Sequence, residues 1–207
     1  GPTHHGSLDI AYLRCIQDMI VTAPKNGNEF RNLLYTALNI KDMPFSIRYP
    51  KASAVKFDVA GQIELLPIGS WEICKQGDDL VLLSVGSMTY TALAVAEKLK
   101  KTGVSAEVIN CRFIKPMDTS CLERIKDKFA NIITIEEGVI NGGFGDGVCS
   151  WLLENGYKGE IKRLGLPDSF VQHGSRDEIL KYLGLDKNGI VENVQKFLNI
   201  KNKSVIN

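Results

Sequence analysis

Short apolar runs and apolar stripes spaced three to four residues apart alternate along this chain. That alternation predicts strands and helices in turn. Residues 7–16 predict a short helix, and residues 19–23 a short apolar strand that stops at Pro24. Asn26 followed by Glu29 has the spacing of a capping box. Phe30, Leu33, Leu34, Ala37 and Leu38 then share one face of a helix. Residues 45–49 predict a strand ending at Pro50. Residues 51–69 carry no strong period and read as a crossover between two domains, with the boundary near residue 60.

The second half is more regular. Trp71 to Cys74 and Leu80 to Val85 predict a hairpin around Gln76-Gly77-Asp78-Asp79. A helix with Ala92, Val95, Ala96 and Leu99 on one face follows, ended by Gly103. Strands are expected over 105–110, 131–135 and 160–165. Between them lie helices bearing Leu122, Ile125 and Phe129, and then Val148, Trp151 and Leu152. Ser120 with Glu123, and Ser175 with Glu178, have capping-box spacing, and a last amphipathic helix covers about 190–199. The expected fold is α/β, a mostly parallel sheet with helices on both faces. Residues 201–207 form a polar tail, expected to fray.

Composition narrows the function classes. The chain has 207 residues, 44% hydrophobic and 24% charged, with a net charge of +1. That balance gives no support to a nucleic-acid partner or a membrane surface. No apolar run approaches the roughly 20 residues that span a bilayer. No basic segment followed by an apolar stretch opens the chain. Cys15, Cys74, Cys111, Cys121 and Cys149 are scattered without a C-x-x-C pair, which predicts reduced, mostly packed thiols in a cytoplasmic protein. The chain opens on Gly1-Pro2-Thr3-His4 without an initiator Met, as expected for a piece of something longer.

Several groups could carry chemistry, and each has a plainer reading. Asn141 to Gly147 is glycine-rich between a strand and a helix, but Val148 stands where a dinucleotide fingerprint needs its third glycine. A tight backbone turn fits better. Glu136 and Glu137 precede that turn at the carboxyl end of a strand, where open sheets bind ligands. They are expected to be exposed loop carboxylates or subunit-contact residues. His4 and His5 lack a further ligand at metal spacing, yet a histidine in a loop beside Gly6 is suited to moving protons near neutral pH. Arg48 and Lys51 close a strand, where a cation can take an anionic substrate or simply form a solvated basic edge. His173 reads as structural.

Segments of the chain line up in order with one family. Gly1-Pro2-Thr3-His4-His5-Gly6 and Asp9 to Cys15 lead, followed by Phe45-Ser46-Ile47-Arg48-Tyr49-Pro50. Arg112 to Asp118 fits the pattern R-F-V/I-K-P-L/M-D. Glu136-Glu137-Gly138, Gly142 to Gly145, Gly165 to Phe170 and His173-Gly174 complete the set. From Thr3 to about Ile200 the chain resembles the C-terminal part of the 1-deoxy-D-xylulose-5-phosphate synthases, transketolase-like thiamine-diphosphate enzymes. Transketolases and the β subunits of 2-oxoacid dehydrogenases resemble it less over these motifs.

The resemblance implies an end of a pyrimidine-binding α/β domain over residues 1–59 and a transketolase C-terminal domain over 60–200. It implies a transferase that condenses pyruvate with D-glyceraldehyde 3-phosphate and releases carbon dioxide, for isoprenoid, thiamine and pyridoxal synthesis. It also implies a homodimer, in the cytoplasm or in a plastid. Thiamine diphosphate and Mg2+ would be its cofactors, with their ligands upstream of this chain, so the chain alone should be inactive and bind no cofactor tightly. His4 matches the family's active-site histidine, and the family's catalytic aspartate directly precedes the position of Gly1. Lys51 stands where the family usually has a phosphate-binding arginine. Lysine keeps the charge but loses the bidentate fork, which makes Arg48 the alternative anchor. A non-catalytic dimerisation or scaffolding role for residues 70–200 is the rival from another class.

Overall fold

A computed structural model describes residues 6–53, 55 and 57–198. The tail expected to fray lies outside the described residues. The fold is the α/β architecture expected, with fifteen elements among the described residues. The first part runs α1 (Asp9–Arg14), β1 (Ile20–Thr22), α2 (Gly27–Leu38) and β2 (Phe45–Ile47). The second runs β3 (Glu72–Lys75), β4 (Leu80–Ser84), α3 (Met88–Lys100), β5 (Ala106–Asn110), β6 (Phe113–Lys115), α4 (Thr119–Lys128), β7 (Asn131–Val139), α5 (Phe144–Glu154), β8 (Glu160–Leu166), α6 (Arg176–Tyr182) and α7 (Lys187–Phe197).

Two sheets result. The larger has the order β3-β5-β4-β7-β8, with β4, β5, β7 and β8 parallel and β3 antiparallel at one edge. All five residues of β4 are buried, as a strand covered on both faces requires. Leu80 and Leu82 join the core under α3 and α7. Val81 and Leu83 join the core on the other face, shared with α4 and α5. That second core continues without a break into Ile10, Ile20, Val21 and Leu33 of the first part.

The smaller sheet has the order β2-β1-β6. The hydrophobic pattern does not predict β6. Its three residues are too few to carry a period, and they pair antiparallel with β1 rather than with any strand of the larger sheet.

The expected hairpin of Trp71–Cys74 with Leu80–Val85 does not form. β3 pairs with β5, because the intervening turn is fastened to the start of β5. Asp78 and Asp79 both donate their backbone N–H to the Ser105 carbonyl, and the Asp79 carboxylate accepts from Ser105 N at 2.6 Å. Gly77 lies so close to the backbone of Ala106 and Glu107 that a Cβ there would overlap it. Both edges of β4 are meanwhile taken by β5 and β7.

Caps explain the remaining differences. Asn26 accepts from Glu29 N at 2.9 Å, but the Glu29 carboxylate turns to Lys25 N instead of closing a reciprocal box. Ser175 and Glu178 do form a full box. α4 is capped by Asp118 rather than Ser120. One Asp118 carboxylate oxygen accepts from Cys121 N and the other from Trp71 N, each at 2.9 Å. Asp118→Ala should therefore cost about 2 kcal/mol, more than a single-bond cap. Chemical denaturation would measure it, and a loss under about 0.5 kcal/mol would show that water replaces both bonds. α7 starts earlier than expected because Asp186 caps it through Gly189 N at 2.9 Å.

All five cysteines are free. Burial pushes the Cys74 thiol up to about 11 and raises Cys111 as well, so both stay protonated near neutral pH.

Candidate functional site

Open parallel sheets bind ligands where successive crossovers leave in opposite directions. In the larger sheet that point lies between β4 and β7, because α3 leads to β5 on one side and α5 leads to β8 on the other. Here the chain fills the position itself. Gly86, in the turn between β4 and α3, packs against Ala23 and the Pro24 carbonyl just past β1. Ser7 accepts from Val139 N at 2.9 Å, so the segment leading into α1 lies against the end of β7.

Arg48, just past β2, reaches into this junction. Its Nε donates to both Asp9 carboxylate oxygens, at 3.1 and 3.2 Å. Its Nη2 donates to the Glu137 carbonyl at 2.8 Å and the Gly6 carbonyl at 3.3 Å. Nη1 stands 3.9 Å from Glu137 Oε2. Asp9 begins α1 and Glu137 lies in β7, so one guanidinium ties three elements together. Lys51 is exposed. Its neighbours Pro50 and Ala52 line a cleft of about 490 Å3, shared with Phe30, Tyr49 and Phe57. His4 lies outside the described residues, but Gly6 and Ser7, which follow it, are both held by the contacts above. His173 is exposed.

The paired glutamates separate into two environments. Glu136 is 1% exposed, which overturns the expectation of an exposed loop carboxylate. Its side chain turns back under the glycine-rich loop and accepts from Phe144 N at 2.9 Å and Gly145 N at 2.8 Å. These are orphan N–H groups at the start of α5, where a negative charge is also favoured by the helix dipole. Burial nevertheless outweighs them, with Arg14 and Arg48 on the lowering side, and pushes the Glu136 carboxyl up to about 7. The N-terminus of α5 is thus occupied by the chain's own carboxylate and not by a phosphate site. Gly143 packs against both Glu136 oxygens and the Val139 carbonyl, leaving no room for a Cβ. Glu137 instead pairs with Arg176, whose Nη2 also donates to Ser87 Oγ at 3.1 Å.

A second polar cluster joins the two parts of the chain. The Glu29 carboxylate accepts from Lys25 N at 2.6 Å, from Lys25 Nζ at 3.1 Å and from Asn110 Nδ2 at 2.7 Å, and lies 3.6 Å from Arg112 Nη1. Glu72 of β3 also pairs with Lys25 and accepts from Asn110 at 3.3 Å. Burial alone would lower the Lys25 ammonium, but the Glu29 and Glu72 carboxylates raise it above its ordinary value. Arg112 is further held by Ser70 through its carbonyl and hydroxyl.

Sequence reasoning placed Arg48 at the site but missed Asp9, Glu29 and Arg176. Asn26-x-x-Glu29 was visible only as a cap, and nothing local announces a long-range ion pair.

Comparison with known proteins identifies the two parts of the fold. Residues 69–190 match the C-terminal domain of transketolase, and residues 1–55 match the transketolase pyrimidine binding domain. The chain is 41% identical over 198 residues to a 1-deoxy-D-xylulose-5-phosphate synthase of Aquifex aeolicus, covering 96% of this chain and 31% of that protein. A Bacillus cereus protein of the same name is 39% identical over 204 residues, covering 98% of this chain and 32% of its own. The chain therefore spans about a third of the length of the curated relatives it matches. Among solved structures, a split gene transketolase described as an inactive β4 tetramer superposes with a TM-score of 0.83 at 27% identity. It covers 97% of this chain and 64% of its own. A Pichia stipitis transketolase variant has a TM-score of 0.72 at 19% identity, over 96% of this chain and 28% of its own, a likeness of fold.

Proposed function

The chain belongs to the transketolase family, matching that family's C-terminal domain over residues 69–190, and on that premise we propose that it is the C-terminal third of a 1-deoxy-D-xylulose-5-phosphate synthase. The observation that carries this reading is the 41% identity to such a synthase across 96% of the chain. In it, residues 1–59 end the pyrimidine-binding domain and residues 60–200 form the C-terminal domain. The whole protein would join pyruvate to D-glyceraldehyde 3-phosphate, with carbon dioxide as the group released.

Thiamine diphosphate, when bound, supplies the carbanion-stabilising chemistry of such enzymes. Among the described residues, no group of three or more His, Cys, Asp or Glu side chains is placed to hold a metal ion. None of them is therefore assigned to Mg2+. This chain's own contribution is to the aldehyde. Arg48 is permanently cationic and pre-oriented by Asp9, which suits it to a phosphate dianion. Lys51 adds a second, exposed charge. His4 is assigned the proton transfers near the substrate. A homodimer and a cytoplasmic or plastid location go with the reading. No helix among the described residues is long and apolar enough to cross a membrane.

Two measurements test it. The full-length protein should release carbon dioxide from pyruvate when D-glyceraldehyde 3-phosphate is added. Ketol transfer from xylulose 5-phosphate instead would make it a transketolase. The split-gene transketolase chain is described as inactive, and this chain alone is proposed to be inactive too. Calorimetry of the chain with thiamine diphosphate and Mg2+ should give no binding heat, and micromolar binding would overturn that part.

A further inference from the structure

The start of α2 holds the stretch that carries Lys51 at both ends. Before it, the Tyr49 ring stands edge-on to Phe30, with ring centres 5.0 Å apart. After it, Gly27 donates its backbone N–H to the Val55 carbonyl at 3.2 Å. These four residues line the cleft of about 490 Å3 that Pro50 and Ala52 also line, on either side of Lys51. Lys51 itself belongs to no helix or strand. Its place at the cleft therefore depends on how firmly its neighbours are fastened.

The fastening continues downstream. Residues 58–66 also lie outside any helix or strand, so their backbone polar groups need partners from elsewhere. One face of α2 supplies them. Asn28 accepts from Asp58 N at 2.8 Å, Asn32 from Glu64 N at 3.3 Å and Thr36 from Leu66 N at 2.9 Å. Arg31, on the same face, takes the carbonyls. Its Nη1 donates to the Asp58 carbonyl at 2.9 Å and more weakly to that of Val59 at 3.5 Å, and its Nη2 donates to the Gln62 carbonyl at 3.0 Å. The same guanidinium lies 5.8 Å from the centre of the Phe57 ring, a cation–π contact. Phe57 is in turn seated on Gly27, so closely that a Cβ there would overlap the ring. Arg31 thus joins a side chain in the cleft wall to the backbone that follows it. The planar fork suits this task, because several N–H groups in one plane can serve several carbonyls at once.

We propose that Arg31 is a positioning residue for the aldehyde's phosphate: by fixing Phe57 and residues 58–62 to α2, it holds the preceding segment so that Lys51 is presented at the cleft. The proposal rests on the reading of Lys51 as a phosphate ligand of the synthase. A lysine has no fork of its own, and on a segment without secondary structure it would lose affinity to the cost of being ordered on binding. Arg31 removes that cost beforehand without touching the substrate.

The test uses the full-length enzyme and compares D-glyceraldehyde 3-phosphate with unphosphorylated D-glyceraldehyde. Arg31→Ala should raise KM for the phosphorylated aldehyde by about tenfold, with kcat and the KM of the unphosphorylated aldehyde little changed. Arg31→Lys keeps the charge but cannot bridge the Asp58 and Gln62 carbonyls, and should raise the same KM by about threefold. It also serves as the folded variant should alanine not fold. In a Lys51→Ala background, Arg31→Ala should add less than about twofold, because Arg31 acts only through Lys51.

Equal losses on both aldehydes, or full additivity with Lys51→Ala, would overturn the proposal and leave Arg31 a structural staple of the linker. An unmoved KM in Arg31→Lys would also count against it, since charge alone would then suffice. An unmoved KM for the phosphorylated aldehyde in Lys51→Ala sinks the phosphate reading of Lys51, and the Arg31 proposal with it. A raised KM there with an unmoved one in Arg31→Ala sinks the Arg31 proposal alone. A wild-type enzyme that releases no carbon dioxide from pyruvate with either aldehyde sinks the synthase reading itself.

Discussion

Glu29→Ala is expected to cost about 3–5 kcal/mol of stability, because it strands buried cations rather than merely removing a bond. Glu29 is 5% exposed and serves Lys25, Asn110 and Arg112 together. Lys25 and Arg112 side chains are 17% and 14% exposed, so water reaches them poorly once the carboxylate is gone. Glu72 would remain as a partner, but at 40% exposure its charge is better screened and it cannot replace the bond to Lys25 N. The carboxylate sits on α2 while Asn110 ends β5. The loss should therefore loosen the junction first, splitting one unfolding transition into two. Glu29→Gln keeps an acceptor for Asn110 and should lose less. Denaturant unfolding followed through Trp71, which donates its indole N–H to the Phe113 carbonyl at 2.8 Å near the junction, would report it. A loss under about 1 kcal/mol with a single transition would mean that the cluster only decorates the contact.

The second large effect depends on pH. Glu136 titrates in the fold at about 7, above the ordinary 4.5 that it regains on unfolding. Between those values the folded chain holds a proton that the unfolded chain has released. Stability from this group is therefore fully present below about pH 4.5 and is lost as pH rises through about 7, by roughly 3 kcal/mol in all. Glu136→Gln stays neutral at every pH, so it should remove that slope. The amide also turns a donor toward Phe144 N or Gly145 N and gives up one acceptor, at a cost of about 1–2 kcal/mol. The stability curves of the two proteins should cross, with wild type ahead near pH 5 and the variant ahead near pH 8. Parallel curves across that range would sink the argument.

The fold was legible wherever an element was long enough to display its period. α2, α3, α5, β4 and β7 all fell near their expected positions, because their apolar residues face a core on a fixed repeat. What was not legible depended on distant partners. β3 lay next to β4 in sequence, yet the contacts of Ser105 with Asp78 and Asp79 sent it to β5. β6 has no period of its own and exists only because β1 offers an edge. At the site, Arg48 was visible as a cation closing a strand. Its setting by Asp9 and Glu137 was not, since the chain separates them by 39 and 89 residues. Glu136 and Glu137 are identical neighbours whose burial differs because a strand alternates its faces. One faces the glycine-rich loop and the other faces Arg176, and only tertiary structure says what each face meets.

The strand Phe113–Lys115 has a practical meaning for anyone who cuts or recombines this chain. It lies far beyond residue 60, yet it completes the sheet to which β1 and β2 belong. A piece starting at residue 60 would carry this segment with nothing to lie against, and a piece ending there would leave one side of β1 bare. Both are open strand edges of the kind that recruit foreign chains. Chimaeras that exchange the C-terminal region between relatives should accordingly exchange matched partners for residues 20–22 as well, or they will aggregate even though each half looks whole.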